Sequence, residues 1–132
     1  MTRNAASHPL LADFAVADLA VECLARSGTL RLRVTGSSML PAIRSGSHVE
    51  IRRAGPSEVV PGDIVLVRVT GGFRLHRLVA REGLRIITRG DNHTENDPPE
   101  PVAQLLGVVS HVHKPRLLPR VSSRLLRKFR AI

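Results

Sequence analysis

The chain of 132 residues carries a formal net charge of +9 at pH 7 and contains one cysteine, three Phe and no Trp or Tyr. A single domain of this length buries enough surface to hold a core unaided, and one cysteine excludes both a disulfide framework and an all-cysteine metal site. Because aromatic rings are scarce, the stacking platforms that single-stranded nucleic acids need are missing. We therefore do not expect a nucleic acid partner.

The first segment with a clear pattern is a predicted amphipathic helix over residues 9–26, which Ser27 and Gly28 end. Such a helix packs on the domain or lies against a membrane surface or partner, and the pattern leaves both open. Cys23, on this helix, is expected to be a small buried hydrophobe. Acidic residues interrupt the apolar stretch, at Asp13, Asp18 and Glu22. The sequence therefore predicts neither a signal peptide nor a membrane-spanning helix.

The middle of the chain consists of short apolar runs separated by glycine-containing turns. These runs predict strands over residues 30–34, 48–52, 64–69, 73–79, 84–89 and 105–109. Many short strands joined in this way indicate a mainly β (α+β) fold, with a coiled sheet or partly open barrel. We expect three parts, namely the helix in residues 1–28, a β domain in residues 29–113 and a basic tail in residues 114–132.

A polar break of small residues follows the first predicted strand. Gly36 permits a sharp turn that places Ser37 and Ser38 at an exposed corner, where a serine is a candidate nucleophile. An ordinary surface turn is the alternative, because Gly and Ser are common turn residues.

A nucleophilic serine needs a base, which is His or a desolvated Lys. The only lysines, Lys114 and Lys128, lie beyond the last predicted strand. His76 lies in a predicted hairpin strand and precedes an acidic loop that contains Asp91 and Asp97. Serine, histidine and aspartate can therefore meet in that order along the chain.

Other interpretations of these polar residues stay open. A single strand histidine such as His76 can be an ordinary core or surface residue, and Asp91 can belong to a plain turn. The other histidines that suggest a metal are His93, His111 and His113. They lack a carboxylate at a fixed spacing, so we expect no metal and no other cofactor.

Taken together, five motifs in this order resemble the signal peptidase and LexA-type serine peptidase superfamily. They are Val34-x-Gly36-x-Ser38-Met39-x-Pro41, Pro61-Gly62-Asp63-Ile64-Val65, His76-Arg77, Gly90-Asp91-Asn92 and Leu106-Gly107-Val108-Val109. The resemblance covers about residues 30–112. It is nearest to the archaeal and endoplasmic-reticulum branch, which has His-Arg where other members have a lysine base.

This resemblance implies roles for individual residues. Ser38, directly before Met39, would be the nucleophile and His76 the base, while Asp91 and Asp97 would both be functional. The remaining residues of the motifs would shape the oxyanion site and the backbone around it, namely Gly36, Ser37, Met39, Pro41, Gly90 and Asn92. Because Gly36 stands where signal peptidases commonly have serine, the oxyanion hole would depend on backbone N–H groups. Gly46-Ser47 replaces the usual Gly-Asp turn.

The sequence thus predicts a serine endopeptidase that cleaves a peptide or protein substrate, in maturation or leader removal. A catalytically silent relative that binds peptides or a partner is one alternative. A LexA-type regulator that cleaves itself is another, and three expectations oppose it: no helix-turn-helix domain, no lysine base, and Ala54-Gly55 as the only Ala-Gly bond, downstream of Ser38.

The basic tail carries seven cationic side chains and no acidic one, which leaves a formal charge of +2 for the residues before it. Its apolar residues fall on one helical face, at Leu125, Leu126, Phe129 and Ile132. We expect this face to adsorb to an anionic membrane surface, with a merely solubilising tail and nucleic acid contact as alternatives. The predicted location is cytoplasmic, and adsorption of the tail would place the protein at the inner face of the membrane.

Overall fold

The computed structural model describes residues 11–115, so most of the predicted basic tail and the first ten residues lie outside the described part. The described elements are α1 (Leu11–Ser27), β1 (Thr29–Arg33), β2 (His48–Arg53), β3 (Ile64–Val69), β4 (Gly72–Glu82), β5 (Arg85–Arg89), β6 (Glu100–Pro101) and β7 (Leu105–His113). Two short 3-10 helices span Pro56–Glu58 and Val102–Gln104.

The strands form one seven-stranded sheet in the order β1-β2-β7-β3-β4-β5-β6, and every pairing is antiparallel. The sheet curls into a partly open barrel with a single helix against it, so the predicted fold class is confirmed. Closure is incomplete because β1 and β6 occupy the two ends of the strand order.

Two hydrophobic clusters share the central strand β3. Leu66 belongs to a cluster with Leu24 and Met39, whereas Val65 and Val67 belong to a second cluster on the other face. Successive residues of a strand point to opposite faces, and a continuous apolar run is what burial on both faces requires. The Ile64–Val69 run is therefore the middle of the core.

Helix α1 packs on the sheet through residues spaced three and four apart. Ala17, Ala20 and Leu24 are buried, and Leu24 joins the cluster that contains Met39. The expectation that Cys23 is buried is wrong, because Cys23 lies beside this stripe on the helix and is exposed. In the part of the chain that the structure describes, no helix is long and apolar enough to cross a membrane.

Strand boundaries differ from the predictions where polar residues continue a ladder. The last apolar run ends at Val109, yet β7 extends to His113 because His111 and His113 pair with Glu50 and His48 of β2. Strand β6 was not predicted, since two residues containing a proline carry no strand signal.

At Gly107 of β7 there is no room for a side chain beside β2. A Cβ atom at this position would lie 2.6 Å from the carbonyl oxygen of Arg52 and 2.7 Å from Cγ2 of Ile51. Backbone cannot yield as a flexible side chain does, so only glycine fits without moving one strand.

We expect Gly107→Ala to lower the stability of the domain by about 1–3 kcal/mol, because the added methyl group overpacks the β2–β7 contact. Gly72→Ala is the matched control, since a Cβ there has no atom within 4 Å and lies in a strand as well. Urea unfolding of both variants measures the difference. Equal midpoints for the two variants would contradict this account of Gly107.

Candidate active site

The loop between β1 and β2 holds Ser38 by two anchors. At its base, the Val34 N–H donates to the Ser47 carbonyl at 2.8 Å and the Gly46 N–H donates to the Val34 carbonyl at 2.8 Å. Near its start, Gly36 has φ +86°, in the left-handed region that glycine adopts freely. The loop thus begins with a sharp turn before the two serines.

The second anchor is apolar. Met39 and Ile43 are buried in the same cluster as Leu24, and the Ile43 N–H donates to the Met39 carbonyl at 2.8 Å. Pro41 lies exposed on the turn between them. Because Met39 is fixed in the core, the preceding Ser38 is held half-buried at the surface of that core.

His76 is a buried histidine on β4, paired with Val65 of β3. Its Nδ1 lies 2.6 Å from Oδ2 of Asp97, on the loop after β5. The same oxygen accepts a hydrogen bond from the Thr88 hydroxyl at 2.7 Å, and the Asp97 N–H donates to the Thr88 carbonyl at 2.8 Å. Asp97 is therefore fixed by both its backbone and its carboxylate.

Burial alone would raise the pKa of Asp97, since desolvation disfavours the charged form. Hydrogen bonds from His76 and Thr88, with the positive charge of Arg74, outweigh that effect and bring the pKa below its ordinary value. Nε of Arg74 is 3.3 Å from Oδ2 of Asp97. Asp97 is thus an anion at neutral pH.

Asp91 does not contact His76 but pairs with the next residue of β4. Nε and Nη2 of Arg77 donate to its two carboxylate oxygens at 2.8 and 2.7 Å, which is a bidentate geometry. The hydrogen bond from Arg77 lowers the pKa of Asp91, against the opposing effect of burial. Arg77 also donates to the Gly62 carbonyl at 2.6 Å, so it joins two of the sequence motifs.

Gly90 and Asn92 connect the acidic loop to the serine loop. The Asn92 N–H donates to the Ser38 carbonyl at 2.9 Å and its side-chain amide donates to the Ser37 carbonyl at 3.2 Å. A Cβ at Gly90 would lie 2.7 Å from the Ser38 carbonyl oxygen and 3.2 Å from Nε2 of His76. The absence of a side chain at Gly90 is what lets the two loops and β4 meet.

Ser38 and His76 line one cavity of about 270 Å³ between the end of β1 and the start of β4. Its apolar wall consists of Leu32, Val34, Met39, Phe73 and Leu75. The outer edge of β1 has no partner strand among the described residues, and residues 72–76 of β4 pair only with β3. An extended chain in this cavity would therefore meet unpaired backbone groups on both sides.

The sequence did not indicate that Arg74, Thr88 and His93 are neighbours of His76 and Asp97. Arg74 and His76 are two apart in one strand, so alternation alone places them on one face. Thr88 follows the buried Ile86 at the same spacing and is itself buried. The sequence indicated His93 only as one of three histidines that suggest a metal, because its ring meets that of His76, with centroids 5.4 Å apart, only through the loop conformation.

The remaining candidates lie apart from Ser38. His111 and His113 stack on each other on β7, and His113 Nε2 is 2.5 Å from Oε2 of Glu50. They do not form a cluster with His93. Lys114 lines a different cavity together with Arg31 and His48. Lys128 lies outside the described residues.

Residues 5–109 match the Peptidase S24-like family, and the chain belongs to that family. The resemblance to the superfamily of signal peptidases and LexA-type peptidases is thereby confirmed at the level of the superfamily.

Among curated proteins, Protein GrpE of Synechococcus sp. (strain JA-3-3Ab) is 32% identical over 83 residues, which is 63% of this chain and 33% of that protein. Protein GrpE of Synechococcus sp. (strain JA-2-3B'a(2-13)) is 33% identical over 81 residues, 61% of this chain and 32% of that protein. The chain thus spans about a third of the length of these curated relatives.

We expect Asp91→Asn to lower the melting temperature at pH 7 because it removes the charge that Arg77 binds. A carboxyl group whose folded-state pKa is lowered stabilises the fold above its unfolded-state value, about 3.9, and this contribution is lost as the pH falls through the folded-state value. The difference between wild type and variant should therefore shrink below about pH 4. Thermal melts across this range measure it.

The matched control is Glu58→Gln, since Glu58 forms an exposed ion pair with Arg52 at 3.8 Å. Exposed ion pairs contribute little to the stability of the fold, so this variant should melt close to wild type at every pH in the range. The ordinary pKa of a carboxyl group is about one unit above pH 3. If the difference in melting temperature between wild type and Asp91→Asn stays constant down to that pH, the role given to the Arg77 pair is wrong.

Proposed function

We propose that this chain is a serine endopeptidase of the Ser-His branch, with Ser38 as nucleophile, His76 as base and Asp97 as the residue that orients His76. The observation that carries the proposal is that His76, hydrogen-bonded through Nδ1 to the carboxylate of Asp97, lines the same cavity as Ser38. With Nδ1 donating to Asp97, Nε2 has a free lone pair for a serine proton.

The reaction follows from these positions. Ser38 Oγ attacks the scissile carbonyl carbon while Nε2 of His76 takes the serine proton, and the resulting imidazolium is stabilised by the Asp97 carboxylate. His76 then protonates the departing amine and the acyl-enzyme forms. Water attacks the acyl group in the second half, with His76 again as base, which restores Ser38.

Two observations favour histidine over lysine as the base. Lys114, the lysine in the described part of the chain, lines another cavity than Ser38. In addition, a histidine base needs a hydrogen-bond acceptor on its other ring nitrogen, and Oδ2 of Asp97 lies 2.6 Å from Nδ1 of His76. The Thr88 hydroxyl donates a hydrogen bond to the same oxygen. A lysine base would instead need an apolar, desolvating environment.

Oxyanion stabilisation is assigned to backbone N–H groups of the serine loop. The Ser38 N–H forms no hydrogen bond with any residue between 11 and 115, so it is available to the oxygen that becomes charged. The neighbouring carbonyls of Ser37 and Ser38 are bound by Asn92, which holds the peptide planes of the loop in place. Fixed donors of this kind act without reorganising during the reaction.

The substrate would bind as an extended strand between β1 and residues 72–76 of β4, adding backbone hydrogen bonds to two unpaired edges. The cavity of about 270 Å³ beside Ser38 would receive a side chain next to the scissile bond. Its apolar wall suits an apolar side chain.

Two other functions need separate tests. A silent relative would bind peptides in the same groove but would not react at Ser38. A self-cleaving regulator would need an accessible bond, yet Ala54 is 4% exposed and its N–H donates to the Leu106 carbonyl. Incubation of the purified chain, followed by intact mass measurement against Ser38→Ala, detects self-cleavage directly.

We expect a fluorophosphonate probe to label Ser38, with labelling lost in Ser38→Ala and reduced by several orders of magnitude in His76→Ala. The reason is that a serine hydroxyl without its base is a weak nucleophile. Labelling rates are followed by intact mass, and a peptide library with mass-spectrometric readout then measures cleavage.

Matched controls are Ser45→Ala on the same loop and His111→Ala on β7, both exposed and outside the cavity. Both should label as wild type does. If His76→Ala reacts at the wild-type rate, His76 is not the base. If neither wild type nor the two control variants are labelled although all are folded, the chain is a silent relative.

The two aspartates provide an internal comparison. Asp97→Asn should reduce the labelling rate by about a hundredfold or more, because an amide neither fixes the required tautomer nor stabilises the imidazolium. Asp91→Asn should act mainly on stability, because Asp91 contacts Arg77 and not His76. Rates are compared at a temperature where circular dichroism shows both variants folded. Equal rates for Asp97→Asn and wild type would remove Asp97 from the mechanism.

A further inference from the structure

Beside the proposed base lies a second histidine that the peptidase mechanism does not use. Among the described residues, His76, His93 and Asp97 each offer a ligand atom, and these atoms lie within 4.8 Å of one another. The rings of His76 and His93 are nearly perpendicular, at 86°. Gly90 lies next to both rings, since a Cβ there would be 2.9 Å from Nδ1 of His93 and 3.2 Å from Nε2 of His76.

The surroundings of this trio are rich in ligand atoms. His93 and Asp97 line an open cavity of about 430 Å³ on the acidic loop, whose other lining residues are Asn92, Thr94, Glu95, Asn96 and Pro98. No lysine or arginine contributes to this lining. Glu95 is exposed and adds a carboxylate to the lining of this cavity.

Imidazole nitrogen and carboxylate oxygen are the ligands of zinc sites that use three protein groups and leave a fourth position open. The positive charge of Arg74 opposes the binding of a cation here, because its Nε is 3.3 Å from Asp97 Oδ2. Metal binding through Nδ1 of His76 would also have to replace the hydrogen bond between that nitrogen and Asp97. Because of these two costs, we expect the affinity for zinc to be well below that of a structural zinc site. Zinc would therefore bind and dissociate reversibly.

We propose that His76, His93 and Asp97 bind a zinc ion, and that the bound ion switches off Ser38. The second half rests on the proposed function. Coordination through Nε2 of His76 occupies the lone pair that would accept the serine proton. Coordination through Nδ1 leaves the proton on Nε2. In either geometry the neutral imidazole has no free lone pair for Ser38, so attack on the substrate stops while zinc is bound.

Metal binding is tested on the full chain without reference to activity. Titration calorimetry with ZnCl₂ and the visible absorption of bound Co²⁺ are compared for wild type, His93→Ala, Ser38→Ala and His111→Ala. We expect Ser38→Ala and His111→Ala to bind as wild type does, and His93→Ala to lose at least about tenfold in affinity, since a ligand is removed. Circular dichroism verifies that each variant is folded.

The result that overturns the site is equal zinc affinity for wild type and His93→Ala. Loss of affinity in His111→Ala instead would assign the zinc to the His111–His113 pair on β7. Loss of the cobalt spectrum only in His93→Ala, with four-coordinate intensity in the other three proteins, supports the site.

Inhibition is tested by fluorophosphonate labelling with and without zinc, each protein being compared with itself. Wild type should be protected by zinc and recover after EDTA, whereas His93→Ala should need at least about tenfold more zinc. Zinc that binds through His93 but leaves labelling unchanged would overturn the switch. If no protein is labelled while zinc binding still depends on His93, the peptidase proposal fails and the metal site stands.

Discussion

The site depends on the approach of one loop to another at Gly90. The backbone there lies so close to the Ser38 carbonyl that even a methyl group would have to displace it, and Asn92 then binds the carbonyls of Ser37 and Ser38. Serine, histidine and aspartate come from three separate elements, and this contact is what holds them in register. Because the groups involved are backbone atoms, the distance between the elements is set more rigidly than flexible side chains could set it.

The two aspartates of the acidic loop have different partners. Asp91 ties the start of the loop to β4 through Arg77, whose guanidinium reaches on to the Gly62 carbonyl. Asp97 points inward and is held by Thr88 beneath His76. A half-buried carboxylate is costly unless it is paired, and here the hydrogen bonds and the charge of Arg74 offset that cost. The arrangement keeps the Asp97 carboxylate ionised next to the His76 ring.

The incomplete closure of the barrel leaves strand edges beside the same site. Exposed strand edges invite uncontrolled pairing with other chains, so proteins usually protect them. In this sheet the outer edge of β1 and the first residues of β4 border the cavity of Ser38 and His76. Charged side chains, Arg31 and Arg33, alternate along β1. In the proposed function these edges are the surface that a substrate strand completes.

From the sequence alone, the mainly β class, the position of most strands and the identity of the motif residues could be predicted, because they depend on local periodicity and glycine-containing turns. Strand ends such as that of β7 could not, because His111 and His113 continue the ladder only where β2 offers them partners. The sequence also left open which aspartate faces His76, and it did not identify Arg74, Thr88 or His93 as neighbours of the site. Those relations join residues on different strands and loops, and only tertiary packing decides which of them come within hydrogen-bonding distance.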